Sequence, residues 1–124
     1  MATEDMIITP RQLAEKITVI ADSKKARDIK LLRIEDKTII ADYFVICCGN
    51  SNTQIKAIAG EIEEKLGEDA IFPSHIEGYN EATWTVLDYS SVIVHIFSRE
   101  ARDFYKLEKL WSEAEDIDIS ALLN

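Results

Sequence analysis

The sequence predicts a single α/β domain in which a mixed sheet of four to five strands forms a sandwich with flanking helices. Segments with helical spacing of apolar residues alternate with short runs rich in β-branched and aromatic residues, in the order α-β-β-α-(β)-β-β-α. The 124 residues suffice for one hydrophobic core but not for two ordinary domains. The element order therefore indicates a two-layer or three-layer sandwich.

The first half of the chain predicts two helices and two strands. Thr9-Pro10 marks the start of a helix, because threonine caps a helix N-terminus and proline is tolerated at the first position. Residues 28–34 are predicted to form a strand. The continuous apolar run at 43–48 predicts a second strand that is buried on both faces. Ser51 is a suitable cap for the next helix, predicted over residues 52–66.

The second half predicts a hairpin and a final helix. Residues 71–76 favour a short strand, which Pro73 would confine to a sheet edge. Residues 83–88 and 92–97 are predicted to form an antiparallel hairpin, followed by a helical segment that begins after Ser98. The last residues are acidic and are expected to be loosely ordered. The predicted domain therefore covers residues 1–112, and the tail covers residues 113–124.

Composition limits the function classes. Apolar residues make up 47% and charged residues 30%, as in ordinary globular proteins. No stretch approaches the roughly 20 apolar residues of a membrane span, and no targeting signal is visible, so a cytoplasmic location is expected. The net charge of −9 disfavours RNA or DNA binding as the main activity and favours a basic protein partner. The basic strip Lys24–Arg33 is interpreted either as a solvated face or as a secondary phosphate contact.

The sequence favours a binding protein without a cofactor or metal over an enzyme. Cys47 and Cys48 are adjacent and would point to opposite faces of a strand, so they are expected to be buried free thiols. Asp88 is alone on its predicted strand, whereas two-metal nucleotidyl transfer needs clustered carboxylates. A hydrolase triad of Ser51, Asp88 and His95 lacks a Gly-x-Ser-x-Gly elbow, and His95 is predicted to be hydrogen-bonded within the sheet.

Aromatic residues concentrate in the last third of the chain. Tyrosine and tryptophan are enriched at protein interfaces, but they also complete small hydrophobic cores. Composition leaves both interpretations open for Tyr79, Trp84, Tyr89, Tyr105 and Trp111.

Five stretches resemble the signature of a known family. They are Asp42 to Ser51 (DYFVICCGNS), the following helix with Gln54, Ala57 and Ile58, the segment from Glu77-Gly78-Tyr79 to Trp84–Tyr89, the strand VIVHIF at 92–97, and ARDFYKLEKLW at 101–111. In this order and at these spacings they cover about residues 10 to 112. Together they resemble the ribosomal silencing factor, or Iojap-like, family.

The resemblance implies a fold similar to nucleotidyltransferases without transferase activity. It implies a translational repressor that binds the large ribosomal subunit through a basic ribosomal protein of the L-fourteen family and blocks joining of the small subunit. A large-subunit assembly factor and a degenerate nucleotidyltransferase are the alternatives, a homodimer is left open, and RNA contact is expected to be secondary at most. By their positions in the motif, the residues that the resemblance implies as partner-binding are Tyr79, Trp84, Asp88, Tyr89, Arg102, Tyr105 and Leu107.

Overall fold

The chain folds into a mixed sheet with helices on both sides. The structure, a computed structural model, describes residues 8–123. Its elements in chain order are α1 (Pro10–Ser23), β1 (Arg27–Arg33), β2 (Tyr43–Gly49), α2 (Asn52–Glu68), β3 (His75–Glu77), β4 (Trp84–Asp88), β5 (Val92–Ser98), α3 (Arg99–Tyr105), α4 (Leu107–Leu110) and β6 (Glu115–Ile117). The strands lie in the order β3-β4-β5-β2-β1-β6. β2 and β5 run parallel, and the other neighbouring pairs are antiparallel.

The sheet has six strands, so the prediction of four to five was wrong. The additional strand is β6, which comes from the acidic tail and pairs with β1. Ile117 is buried there, while Asp116 and Glu115 form ion pairs with Lys30 and Arg33. The expectation of a loosely ordered tail is wrong for these residues, because the tail's acids lie opposite the basic side chains of β1.

The helices α1 and α2 cover one face of the sheet. Thr9 caps α1 with Pro10 at its first turn, and Ser51 caps α2 by accepting a hydrogen bond from the Gln54 N–H at 3.1 Å, as predicted. Their apolar stripes pack on the side chains of the central strands. All seven residues of β2 are buried, which confirms a strand enclosed on both faces.

The opposite face of the sheet is covered only in part. α3 begins after the Ser98 cap and ends before Lys106. Lys106 adopts a left-handed backbone conformation (φ 51°, ψ 49°), and α4 follows it. These short helices and Trp111 pack over β2 and β1 through Phe44, Leu32 and neighbouring residues. Much of β3, β4 and β5 is therefore left without a covering layer on this side. Among residues 8–123, no helix is both long and apolar enough to cross a membrane.

Candidate functional site

The uncovered part of the sheet is a candidate docking surface, and we call it the open face. Every second side chain of each strand points to this surface, and the pairing of β2 with β5, β5 with β4 and β4 with β3 brings these side chains next to one another. Its members are Phe44, His75, Glu77, Trp84, Val86, Asp88, Ile93 and His95, with Ile40 from the loop before β2. The face combines apolar, aromatic and acidic groups.

Trp84 and His95 form the upper part of the open face. The Trp84 Nε1–H donates to His95 Nδ1 at 3.1 Å, which confirms that His95 is hydrogen-bonded within the sheet. The indole stacks on Phe97 at a centroid distance of 4.9 Å and lies 4.7 Å from the ring of Tyr105. Trp84 thus joins strand β4 to the end of helix α3.

The hydrogen bond from Trp84 also fixes the protonation pattern of His95. Because Nδ1 accepts, the neutral imidazole carries its proton on Nε2. That Nε2 is buried and has no hydrogen-bond partner among the described residues. Burial disfavours the charged ring and lowers the pKa of His95 to about 4. The site therefore holds a neutral imidazole with an unsatisfied N–H.

The lower part of the open face is a shallow pocket of about 420 Å³. Ile40, Phe44, Val86 and Ile93 supply its apolar surface, and Glu77, Asp88 and the two histidines supply its polar groups. One oxygen of Asp88 accepts a hydrogen bond from the Ser90 N–H at 2.8 Å, which fixes the carboxylate beside the hairpin turn.

Three further residues predicted to bind a partner lie near the rim or outside the open face. Tyr105 is half exposed beside Trp84, and Leu107 is half buried against the core beneath α4. Tyr79 is exposed in the loop between β3 and β4, where Lys56 of α2 lies 5.6 Å from its ring centroid. Of these three, Tyr105 contacts the Trp84 end of the open face directly.

Tyr89 and Arg102 are interior side chains and do not join the open face. Tyr89 follows Asp88 and so points to the helix-covered side, where burial raises its pKa to about 12. Arg102 is 6% exposed. Its guanidinium donates to the Glu108 carboxylate at 2.7 to 3.2 Å and to Cys48 Sγ at 3.1 Å.

Sequence reasoning predicted Asp88 but missed the aliphatic members of the open face and its other acid, Glu77. Val86 could have been found from the alternation of β4, because it lies two residues from both Trp84 and Asp88. Glu77 joins through pairing of β3 with β4, and Ile40 joins from a loop whose sequence gives no indication of its position. Ile40 and its neighbour Ile39 are both strongly exposed.

The two cysteines lie in the buried strand β2. Cys47 and Cys48 are buried free thiols, as predicted, and burial raises the pKa of Cys47 to about 12. Within residues 8–123, no group of three or more His, Cys, Asp or Glu side chains is arranged to hold a metal ion.

A family model described as "Ribosomal silencing factor during starvation" matches residues 7–124 of the chain. The chain belongs to the ribosomal silencing factor family. The match includes the acidic tail, in agreement with the place of β6 in the sheet.

Individual relatives give the same assignment. The chain is 43% identical over 103 residues to the ribosomal silencing factor of Bacillus subtilis, covering 83% of this chain and 87% of that protein. It is 31% identical over 106 residues to the chloroplastic protein Iojap of Zea mays, covering 86% of this chain and 46% of that protein.

The fold also resembles a crystal structure from Chromobacterium violaceum. The TM-score is 0.82 at 27% identity, covering 85% of this chain and 88% of the other.

Proposed function

We propose that this ribosomal silencing factor represses translation as a binding protein. It docks on the large ribosomal subunit through a basic ribosomal protein of the L-fourteen family and sterically blocks joining of the small subunit. Family membership supports the association with ribosomes. The open face supplies the docking surface in this proposal, and this uncovered side of the sheet is the observation that carries it.

The chemistry of the open face favours a protein partner. A surface that combines a tryptophan, a tyrosine and apolar side chains with a polar rim is typical of protein interfaces. Its acids, Glu77 and Asp88, would repel RNA phosphates and attract lysine or arginine. In a chain of net charge −9, the basic partner is a ribosomal protein, and RNA contact is secondary.

Trp84 is the aromatic anchor of the proposed interface. It is half buried, so it is held by Phe97 and His95 while part of the ring faces outward. Pre-positioned aromatic residues contribute strongly to binding because they lose little freedom when the partner docks. Tyr105 extends the anchor from α3.

The proposal is tested by co-sedimentation with isolated large and small subunits and with the purified L-fourteen-family protein. We expect binding to the large subunit and to the isolated protein. Tyr105→Ala and Trp84→Ala should weaken binding, and the loss should be about 2 kcal/mol or more for Trp84, the proposed anchor. Phe72→Ala is the matched control, because Phe72 is an exposed aromatic that lies against Gly67 of α2, on the helix-covered side.

Failure of the wild-type chain to bind either subunit would overturn the proposal. Equal weakening by Tyr105→Ala and Phe72→Ala would overturn the assignment of the interface to the open face. If a homodimer also forms through this face, dimerisation and large-subunit binding exclude one another. The partner would then lower the dimer fraction measured by analytical ultracentrifugation.

A further inference from the structure

The pocket at the lower end of the open face carries charges that the chain does not neutralise. Glu77 and Asp88 line it, and no lysine or arginine does. Neither carboxylate forms an ion pair with another residue in the range 8–123. The two acids are diagonal neighbours on adjacent strands, because Glu77 pairs with Val86, two residues before Asp88.

This spacing suits a single cationic group. Diagonal neighbours on paired strands lie roughly 7–8 Å apart, within reach of long side chains, so both carboxylates can face one charge held between them. Asp88 has one oxygen occupied by the Ser90 N–H at 2.8 Å, which leaves the other oxygen for a ligand. The position of the Asp88 carboxylate is therefore set before any partner arrives.

The floor of the pocket is apolar. Ile40, Val86 and Ile93 present aliphatic surface around the two acids, and Phe44 also lines the pocket. Lysine and arginine bury their methylene stems on apolar surface while the charged head reaches polar groups. A sodium ion or a water cluster would gain nothing from this aliphatic floor, whereas a long basic side chain would.

His95 gives a second, independent indication of a ligand. It lines the pocket, is only 7% exposed, and has an Nε2–H without a partner among the described residues. A buried donor left without an acceptor is unfavourable, and a ligand that supplies an acceptor removes that cost. The residue that supplies the cation also carries a backbone carbonyl, which is an acceptor of the required kind. His95 Nε2 is covered in the free chain, so side chains of the pocket floor must shift before the partner's carbonyl can reach it.

We propose that this pocket receives one arginine or lysine side chain from the protein that docks on the open face. Its stem lies on Ile40 and Ile93, its charged head lies between Glu77 and Asp88, and an adjacent backbone carbonyl accepts from His95 Nε2–H. The proposal rests on the proposed function for the identity of the docking protein. It adds the chemical feature by which that partner is recognised.

The test is binding to isolated large ribosomal subunits at low and moderate salt. Glu77→Gln and Asp88→Asn remove the charges while keeping side-chain size, and Asn retains an acceptor for the Ser90 N–H. We expect each variant to bind about three- to tenfold more weakly at low salt. The double variant should depart from the product of the single effects, because both acids hold the same cation.

Glu64→Gln is the matched control, since Glu64 is an exposed acid on α2, on the other side of the sheet. The pocket would be overturned in favour of diffuse electrostatic attraction if Glu77→Gln and Asp88→Asn each weakened binding only as much as Glu64→Gln does, with additive effects in the double variant. Tighter binding of Glu77→Gln or Asp88→Asn would overturn it in favour of RNA phosphate on this face. Unchanged binding of the double variant would overturn it as well.

A second measurement separates the pocket from the proposed function. Amide NMR shifts are recorded while N-acetylarginine methylamide is added to the wild-type chain and to the double variant. The uncharged citrulline analogue is the control probe. We expect shifts at Asp88, His95 and Ile93 in the wild type with the arginine probe only. If the wild type fails to bind ribosomal subunits, the proposed function fails, and these NMR shifts still test the pocket. Equal shifts in the double variant or with the citrulline probe, or no shifts at these residues, would overturn the pocket.

Discussion

The Arg102–Glu108 ion pair holds the end of α3 and the start of α4 together beside the open face. Arg102 lies on α3 and Glu108 lies on α4, on either side of the left-handed residue Lys106. The Arg102 side chain is 6% exposed and the Glu108 side chain is 29% exposed, with a closest N–O distance of 2.7 Å. The ion pair thus folds α4 back on α3 and fixes the position of Tyr105 beside Trp84.

Glu108→Gln should destabilise the chain by about 1–3 kcal/mol. Removing one partner of a fully buried pair costs about 3–5 kcal/mol, because the remaining charge is left in the interior. The partial exposure of Glu108 reduces this figure, since water can approach the guanidinium from the same side. Cys48 Sγ, at 3.1 Å, remains as a weak acceptor for Arg102.

The assay is urea unfolding followed by tryptophan fluorescence, with Glu100→Gln as control. Glu100 is an exposed acid on α3 that forms no ion pair with a described residue, so its replacement should change the free energy of unfolding by less than about 0.5 kcal/mol. Arg102→Met combined with Glu108→Leu should recover much of the loss, because no buried charge is left. Equal stability of Glu108→Gln and wild type would refute a structural role for the pair.

The pH dependence of the same variant has a definite sign. Arg102 donates to the Glu108 carboxylate and holds the pKa of Glu108 below its ordinary value of 4.5. A carboxyl group whose pKa is lowered on folding stabilises the fold above the unfolded pKa, and this contribution is lost as the pH falls through the folded value. The stability difference between wild type and Glu108→Gln should therefore be full near neutral pH and shrink in acid.

Four further predictions concern stability and reactivity. Gly78→Ala should lower the free energy of unfolding by about 3 kcal/mol or more, because φ is +75° and a Cβ would lie 2.1 Å from the Trp84 carbonyl oxygen. Gly60→Ala should raise it by roughly 0.5–1 kcal/mol, measured by thermal unfolding, because a Cβ at Gly60 meets nothing within 4 Å. Burial lowers the pKa of His95 to about 4, so below pH 6.5 the unfolded chain binds a proton that the folded chain does not. The free energy of unfolding should therefore fall by up to about 1.4 kcal/mol per pH unit as the pH drops from 6.5 to 4. His95→Asn should reduce that slope. The buried Cys47 thiol, whose pKa is raised to about 12, should react with a thiol reagent only at the rate of opening or unfolding, and fast labelling in native buffer would contradict its burial.

The sequence predicted the elements whose signals are local. The apolar run of β2 and the capping residues Thr9, Ser51 and Ser98 depend on neighbours within a few positions, and the structure confirms them. Strand β6 was missed because its pairing depends on basic residues of β1, about 80 positions earlier in the chain. A three-residue acidic segment carries no local indication of that partner.

The candidate site was predicted in part for a related reason. Motif positions carry residue identities but not the faces on which side chains lie, so Tyr89 and Arg102 were grouped with Trp84 although they are buried elsewhere. Alternation along β4 would have separated Tyr89 from Asp88, because neighbours on a strand point to opposite sides. The break at Lys106 has no glycine or proline to mark it. The position of Tyr105 relative to Trp84 was therefore not available from the sequence.

Silencing by steric block is tested most directly by measuring the rate at which purified subunits join, followed by light scattering. Large subunits are incubated with the chain before small subunits are added, and the order is then reversed. We expect joining to be suppressed when the chain meets the large subunit first, and we expect folded Tyr105→Ala to suppress it less than Phe72→Ala does. Normal joining by large subunits that carry the bound chain would contradict silencing by steric block, and would leave a role in large-subunit assembly as the function of the same surface.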